Sequence, residues 1–96
     1  MIFKRVSDLK SKLYKEVVAL GDKNSRTLGF LPESAFAKYA QDRQIIACCS
    51  NNTEELLGYV LYRVSYNKVT IVHLCISEKA RNQKVAFGLV NHLKKN

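Results

Sequence analysis

The residues best suited to chemistry lie in the last third of the chain. The apolar segment Val69–Ser77 leads into the short polar stretch Glu78–Ala80, and a helix is predicted to begin directly afterwards at Arg81. In a strand–turn–helix unit of this kind, the first amide groups of the helix have no acceptor inside the helix and point to one place. The helix dipole adds partial positive charge there, so the segment predicts a site for an anion, above all a phosphate.

The same segment resembles the cofactor motif of the GNAT superfamily of N-acetyltransferases. In that family a central strand and a turn precede a helix that opens with Gln/Arg-x-x-Gly-x-Gly/Ala. Arg81 fits the first motif position and Ala86 the last, whereas Lys84 stands where the family has Gly. The segment Thr27–Pro32, ahead of a predicted helix, is similar to the acceptor-side loop of many such enzymes.

The resemblance implies that acetyl-CoA is the co-substrate. In the family, its pyrophosphate lies on the amides of the helix start, where small residues allow close approach, and its pantetheine arm runs beside the end of the strand. Main-chain contacts to that arm are then expected from Leu74, Cys75 and Ile76. The phosphate cradle is expected from Arg81, Asn82, Gln83, Lys84, Val85, Ala86 and Phe87.

Lys84 leaves three interpretations of this cradle open. A cation at a helix N-terminus is unfavourable by about 0.3–1 kcal/mol, and a bound anion reverses that sign, so its ammonium group is consistent with a phosphate ligand. Alternatively the long side chain crowds the pyrophosphate, or the site has decayed and Lys84 faces water.

The transfer of an acetyl group to an amine also requires a catalytic base. In the family an amine attacks the thioester carbonyl, and a base within hydrogen-bond reach takes its proton. Several members place a Glu early on the central strand, but the matching residue here is Thr70, which cannot act as a base. His73 titrates in a useful range and is the candidate, although a lone histidine on a strand is more often packed and hydrogen-bonded. His92, near the end of the last helix, is expected to interact with the helix dipole or to lie at the surface.

The elements that position these residues follow a β-α-α-β-β-β-α order. Apolar periodicity predicts a first helix capped by Ser7 or Asp8 and ended by Gly21, and a second that begins at Pro32. The expected fold is α+β, a mostly antiparallel sheet with flanking helices, which resembles the GNAT acyl-CoA N-acyltransferase fold. Val69–Ser77 is apolar on both faces, which predicts a central strand covered on each side. The strands are expected at Ile2–Val6, Gln44–Ser50, Leu57–Val64 and Val69–Ser77.

We expect residues 1–96 to form one GNAT-like domain, because no repeat or linker interrupts them. The resemblance covers about the first two-thirds of a family domain, so the fold is expected to be incomplete at its C-terminus. An open sheet edge after Val69–Ser77 would invite a protein partner or a second copy to complete the sheet.

Composition narrows the classes of partner. The net charge of +8 comes from 16 basic and 8 acidic residues and favours acidic ligands, but the basic residues are spread evenly. Nucleic-acid stacking by Tyr59, Tyr62 and Tyr66 is less expected than packing of these rings.

Without a long apolar run or a secretory signal, we expect a cytoplasmic chain that does not enter membranes. Adjacent Cys48 and Cys49 should point to opposite faces, so they and Cys75 are expected to be reduced and buried, with no metal site.

The leading functional hypothesis is the cofactor-binding part of an N-acetyltransferase that transfers an acetyl group from acetyl-CoA to an amine of unknown identity. A non-catalytic GNAT-like interaction domain of a larger protein or complex is the alternative. A basic nucleic-acid-binding module is the third and least favoured.

Overall fold

A computed structural model describes residues 1–94, and within them it confirms the predicted α+β class. One short helix and one 3-10 turn are added to the predicted order. The elements are β1 Ile2–Arg5, α1 Lys12–Lys23, α2 Ser25–Leu28, α3 Glu33–Gln41, β2 Ile45–Cys49, β3 Leu56–Ser65, β4 Lys68–Ile76, a 3-10 turn Glu78–Ala80 and α4 Val85–Lys94.

The four strands form one antiparallel sheet in the order β1-β2-β3-β4. Because side chains alternate along each strand, the sheet has a core on each face. Helices α1 and α3 cover one face, where Val17, Phe36 and Tyr59 are fully buried. Helix α4 covers the other face, where Val85 and Leu89 pack on the strands.

The start of the first helix differs from the prediction. Ser11 caps α1, since its hydroxyl accepts a hydrogen bond from the Tyr14 amide at 3.0 Å. Asp8 instead accepts from the Lys10 amide through its side chain at 2.9 Å, which forms a turn before the helix. Three polar residues, Ser7, Asp8 and Ser11, offer caps within five positions, and the periodicity alone did not separate them.

The end of the first helix also differs, because Gly21 lies inside it and not past its end. A Cβ on Gly21 would lie 2.6 Å from the Tyr59 hydroxyl oxygen and 2.7 Å from the Phe36 ring. The glycine therefore allows α1 to approach β3 closely.

The prediction that the last strand is central and covered on both faces is wrong for residues 1–94, in which β4 is an edge strand. Helix α4 reaches Leu74 and Ile76 but leaves the first half of β4 exposed. A bulge also breaks the predicted alternation, since Leu61 pairs with His73 whereas Tyr62 pairs with Ile71. The residue skipped by this register shift is Val72, which packs with the core of α1 and α3.

The three thiols are buried, as predicted. Cys48 lies in the α4 core and Cys49 in the opposite core, which confirms that the adjacent side chains point to opposite faces. Within residues 1–94, no helix has both the length and the apolar character needed to cross a bilayer. The same residues contain no cluster of three or more His, Cys, Asp or Glu side chains arranged for a metal ion.

Candidate functional site

The turn before α4 contains a strained residue at the family's glycine position. Helix α4 begins at Val85 and not at Arg81 as predicted, because the 3-10 turn continues into further turns through Lys84. Lys84 has φ of +62°, in the left-handed region that favours glycine. Its carbonyl accepts the Gly88 amide at 3.0 Å, which closes the first turn of α4. The left-handed backbone at this position therefore explains why the family has a glycine here, in addition to the space that a glycine leaves for a ligand.

The amides that open α4 remain the anion-binding feature of this region. The first N–H groups of a helix have no acceptor inside it, and here they belong to residues 85–87. Val85 contributes only its backbone, since its side chain is 1% exposed in the α4 core. Phe87 is exposed at the surface of the helix.

The outer edge of β4 presents backbone groups next to this turn. The Ser77 amide donates to the Leu57 carbonyl at 2.8 Å, so Ser77 and, two residues earlier, Cys75 point their backbone groups towards β3. The Cys75 carbonyl oxygen does lie 2.8 Å from where a Cβ on Gly58 would be. The alternation turns the amides and carbonyls of Leu74 and Ile76 outwards. The backbone groups of Cys75 therefore face β3 and cannot make the predicted main-chain contacts, whereas those of Leu74 and Ile76 can.

A cleft of about 320 Å³ brings several predicted residues together. Arg81 is one of its lining residues, and its guanidinium donates to the Asn24 side-chain oxygen at 3.5 Å. Helix α2 forms the wall opposite β4, an element missed in the sequence, although Asn24 before it and Gly29 after it are typical boundary residues. The cleft is lined by Leu74, Cys75, Ile76 and Arg81 on one side and by Asn24, Thr27 and Leu28 on the other.

A second cleft, of about 240 Å³, shares Asn24 and Arg81 with the first. Its charged walls are mixed, with Lys23 and Lys79 facing the same space as Glu55. The Ser77 hydroxyl borders it and is buried without a hydrogen-bond partner among the described residues. Mixed charge makes this cleft less selective for an anion than the β4 edge.

The predicted acceptor-side loop is only partly a loop. Thr27 and Leu28 belong to α2 and line the β4 cleft. Phe30 is 73% exposed, whereas Leu31 packs against the core of α1 and α3.

His73 occupies a packed position. Its side chain is 7% exposed, its Nδ1 lies 3.4 Å from the Tyr59 hydroxyl, and its ring meets Phe36 edge-on. Burial lowers the pKa of His73, which keeps the imidazole neutral. These contacts favour the structural interpretation, and His73 does not line the β4 cleft. Its role as a base stays a prediction. The other histidine, His92, stacks on Phe3 with ring centroids 5.1 Å apart.

The tyrosines do not form a stacking platform. Tyr59 and Tyr62 are buried on opposite faces of β3, as the packing interpretation predicted. Tyr66 is fully exposed in the β3–β4 turn. No open sheet face within residues 1–94 therefore carries the three rings together.

Two solved structures share this fold. One is N-acetylglutamate synthase from Neisseria gonorrhoeae, complexed with coenzyme A and N-acetyl-glutamate; it matches with a TM-score of 0.79 and 12% identity over 98% of this chain. The other, an aminoglycoside 6'-N-acetyltransferase from Enterococcus faecium, matches with a TM-score of 0.69 and 18% identity over 99%. The chain spans 22% of the first protein and 54% of the second. No protein-family model and no curated protein matches the sequence.

Both structures are acetyltransferases of the GNAT type. The chain therefore has the fold of part of a GNAT acetyltransferase, which confirms the predicted fold resemblance. At these identities the likeness establishes the fold alone.

Proposed function

We propose that this chain binds acetyl-CoA and forms the cofactor-binding part of an N-acetyltransferase that acts on an amine. One observation carries the proposal: the outward backbone groups of Leu74 and Ile76 share a cleft with Arg81, close in sequence to the start of α4. The fold likeness to a protein solved with coenzyme A supports it.

Each part of the site has a role that its chemistry can fulfil. The outward groups of Leu74 and Ile76 can pair with the amides of a pantetheine arm, as a further strand would. The amides that open α4 and the Arg81 guanidinium can hold phosphate oxygens. Arg81 is available for this because its contact with Asn24 is long and exposed. The Lys84 ammonium adds positive charge at the same turn.

Bound acetyl-CoA would supply an activated thioester, from which the acetyl group passes to the acceptor nitrogen as the thiolate leaves. The proton lost by the amine needs an acceptor, and the described residues that line the β4 cleft include no His, Asp or Glu. The cleft therefore supports binding of the cofactor more directly than it supports proton transfer.

Calorimetric titration of acetyl-CoA into the purified chain tests the proposal. We expect micromolar binding by the wild type and at least about 10-fold weaker binding by Arg81→Ala, because a charge-assisted hydrogen bond contributes about 1.5–3 kcal/mol. Arg63→Ala is the matched control, since Arg63 is exposed on β3 and lies outside the cleft. Absence of binding by a folded wild-type chain would refute the proposal.

A non-catalytic acyl-CoA-binding or interaction domain is the second candidate. The absence of a proton acceptor among the described residues of the cleft favours it. Release of free thiol from acetyl-CoA, measured with glutamate, an aminoglycoside and a lysine peptide as acceptors, separates the two. Binding without amine-dependent thiol release assigns this chain to the second candidate.

A further inference from the structure

Asn24 joins the corner between α1 and α2 to the turn that precedes α4. It is the residue at which α1 ends and from which α2 begins. Its side-chain oxygen accepts the hydrogen bond from the Arg81 guanidinium, although the two residues are 57 positions apart in the chain. Both residues line both clefts, so this contact links the wall formed by α2 to the side chain that we propose to hold phosphate.

Other hydrogen bonds hold Asn24 in place. Its side-chain nitrogen donates to the Leu20 carbonyl in the last turn of α1 at 2.9 Å. Its backbone amide donates to the Gly21 carbonyl at 3.1 Å, and its backbone carbonyl accepts the amides of Thr27 and Leu28, each at 3.1 Å. Because the backbone and the side-chain nitrogen are both held, the side-chain oxygen of Asn24 is an acceptor with a fixed position.

Arg81, in contrast, has a long and exposed side chain that must be ordered before it can hold a ligand. Within residues 1–94, Asn24 supplies the one hydrogen bond to its guanidinium. The guanidinium also lies near the Cys75 thiol, because burial raises the pKa of Cys75 while the Arg81 charge acts in the opposite direction. The fixed oxygen of Asn24 therefore holds the cation over a residue that lines the β4 cleft.

We propose that Asn24 is a positioning residue for acetyl-CoA, which holds the Arg81 guanidinium in the cleft and leaves its other N–H groups for phosphate oxygens. The inference rests on the proposed function, because it concerns the same site. A cofactor that meets a side chain already in place loses less conformational entropy on binding. Asn24 thus acts on the cofactor through Arg81 and does not need to touch it.

The uncharged amide of Asn24 suits this role. A neutral oxygen orients the guanidinium without cancelling its charge, and a bond of 3.5 Å is weak enough to coexist with stronger contacts to phosphate. A carboxylate at the same position would form an ion pair with Arg81 and place a negative charge beside the phosphates. The amide therefore keeps the positive charge of Arg81 available for an anion.

A double-mutant cycle, measured by calorimetric titration of acetyl-CoA, tests this role. Asn24→Ala should raise the Kd by about 2- to 10-fold, the range for ordering one long side chain. In the Arg81→Ala background the same substitution should change the Kd by less than about 2-fold, because Asn24 acts through Arg81. Asn52→Ala, in the exposed β2–β3 turn, is the matched control and should bind like wild type. Loss of the Leu20 bond affects α1 in both backgrounds, so equal losses in both would show a structural role and overturn the proposal.

The salt dependence of binding tests the same role without the double variant. Salt screens the attraction between Arg81 and phosphate, so wild-type affinity should fall between about 50 and about 300 mM NaCl. Asn24→Ala should show a shallower decrease, closer to that of Arg81→Ala, and a decrease as steep as in wild type would overturn the proposal. A folded wild type that does not bind acetyl-CoA refutes the proposed function and this inference with it. Wild-type binding that Asn24→Ala leaves unchanged refutes only the role of Asn24.

Discussion

Lys84 stands at the glycine position of the motif and adopts a backbone conformation that is unfavourable for an L-residue. Its left-handed conformation, with φ of +62°, places the following amides at the head of α4. An L-residue in this region has a steric penalty of about 1–2 kcal/mol, and a cation beside the positive end of the helix dipole adds to it.

Lys84→Gly is therefore expected to raise the free energy of unfolding by up to about 1 kcal/mol, because the steric relief exceeds the 0.5–1 kcal/mol entropic cost of glycine. Urea denaturation measures the change. Lys79→Gly is the control, since Lys79 lies in the 3-10 turn outside the positive-φ positions, and it should be destabilising. Loss of stability in Lys84→Gly would show that the backbone is not strained there.

The same variant distinguishes the three interpretations of Lys84, since unchanged acetyl-CoA binding would indicate a side chain that faces water. If Lys84 contacts phosphate, acetyl-CoA binds Lys84→Gly more weakly than wild type; if it crowds the ligand, binding strengthens.

His73 gives stability a pH dependence with a defined sign. Burial lowers its pKa in the folded chain, so the unfolded chain binds more protons once the pH falls below about 6.5. The free energy of unfolding should fall between about pH 7.5 and 5.5, by at most about 1.4 kcal/mol per pH unit in the acidic part.

Denaturation across this range should show the decrease in wild type and a flatter profile in His73→Gln. His92→Gln is the matched control and should keep the wild-type decrease, because it leaves His73 in place. An unchanged profile in His73→Gln would assign the dependence to another group.

At the scale of elements, the position of α1 depends on a close approach at Gly21. The space beside this residue is filled by the Tyr59 hydroxyl and the Phe36 ring, and Tyr59 in turn contacts His73. The contact therefore links α1 and α3 to β3 and, through His73, to the edge strand β4.

Gly21→Ala should lower the free energy of unfolding by about 1–3 kcal/mol, although alanine is the better helix former, because the added Cβ forces the helix away from β3. Thermal or urea denaturation measures this. Lys15→Ala, on the exposed side of the same helix, should change stability by less than about 0.5 kcal/mol. A more stable Gly21→Ala chain would mean that α1 can shift without loss.

At the scale of the whole molecule, the two cores enclose all three thiols. Cys48, Cys49 and Cys75 are 0%, 1% and 3% exposed, and burial raises the pKa of each thiol. The raised pKa values lower the thiolate fraction at neutral pH, and burial blocks access of a reagent to the sulfur atoms. Reaction of the thiols therefore requires the fold to open.

A thiol-reactive disulfide reagent should therefore label the native chain at least about 100-fold more slowly than the denatured chain. Cys75 should react first, because it borders the β4 cleft. Saturating acetyl-CoA should slow that reaction further, with coenzyme-free buffer as the control. Fast native labelling of Cys48 or Cys49 would contradict the two-core arrangement.

The amino-acid sequence alone predicts the class of fold, the order of the main elements and the segment that carries the candidate site. It could do so because apolar periodicity and turn residues are local signals. It also predicts that Cys48 and Cys49 point to opposite faces of the sheet, since strand side chains alternate with a fixed period.

Which groups meet depends on the three-dimensional packing of the elements. The bulge at Val72 depends on the register between β3 and β4, and this register exposes Leu74 and Ile76 while turning Cys75 inwards. The edge position of β4, the wall formed by α2 and the burial of His73 depend on neighbours distant in sequence. Periodicity reports how one segment distributes its apolar residues; it does not report which segment lies beside it.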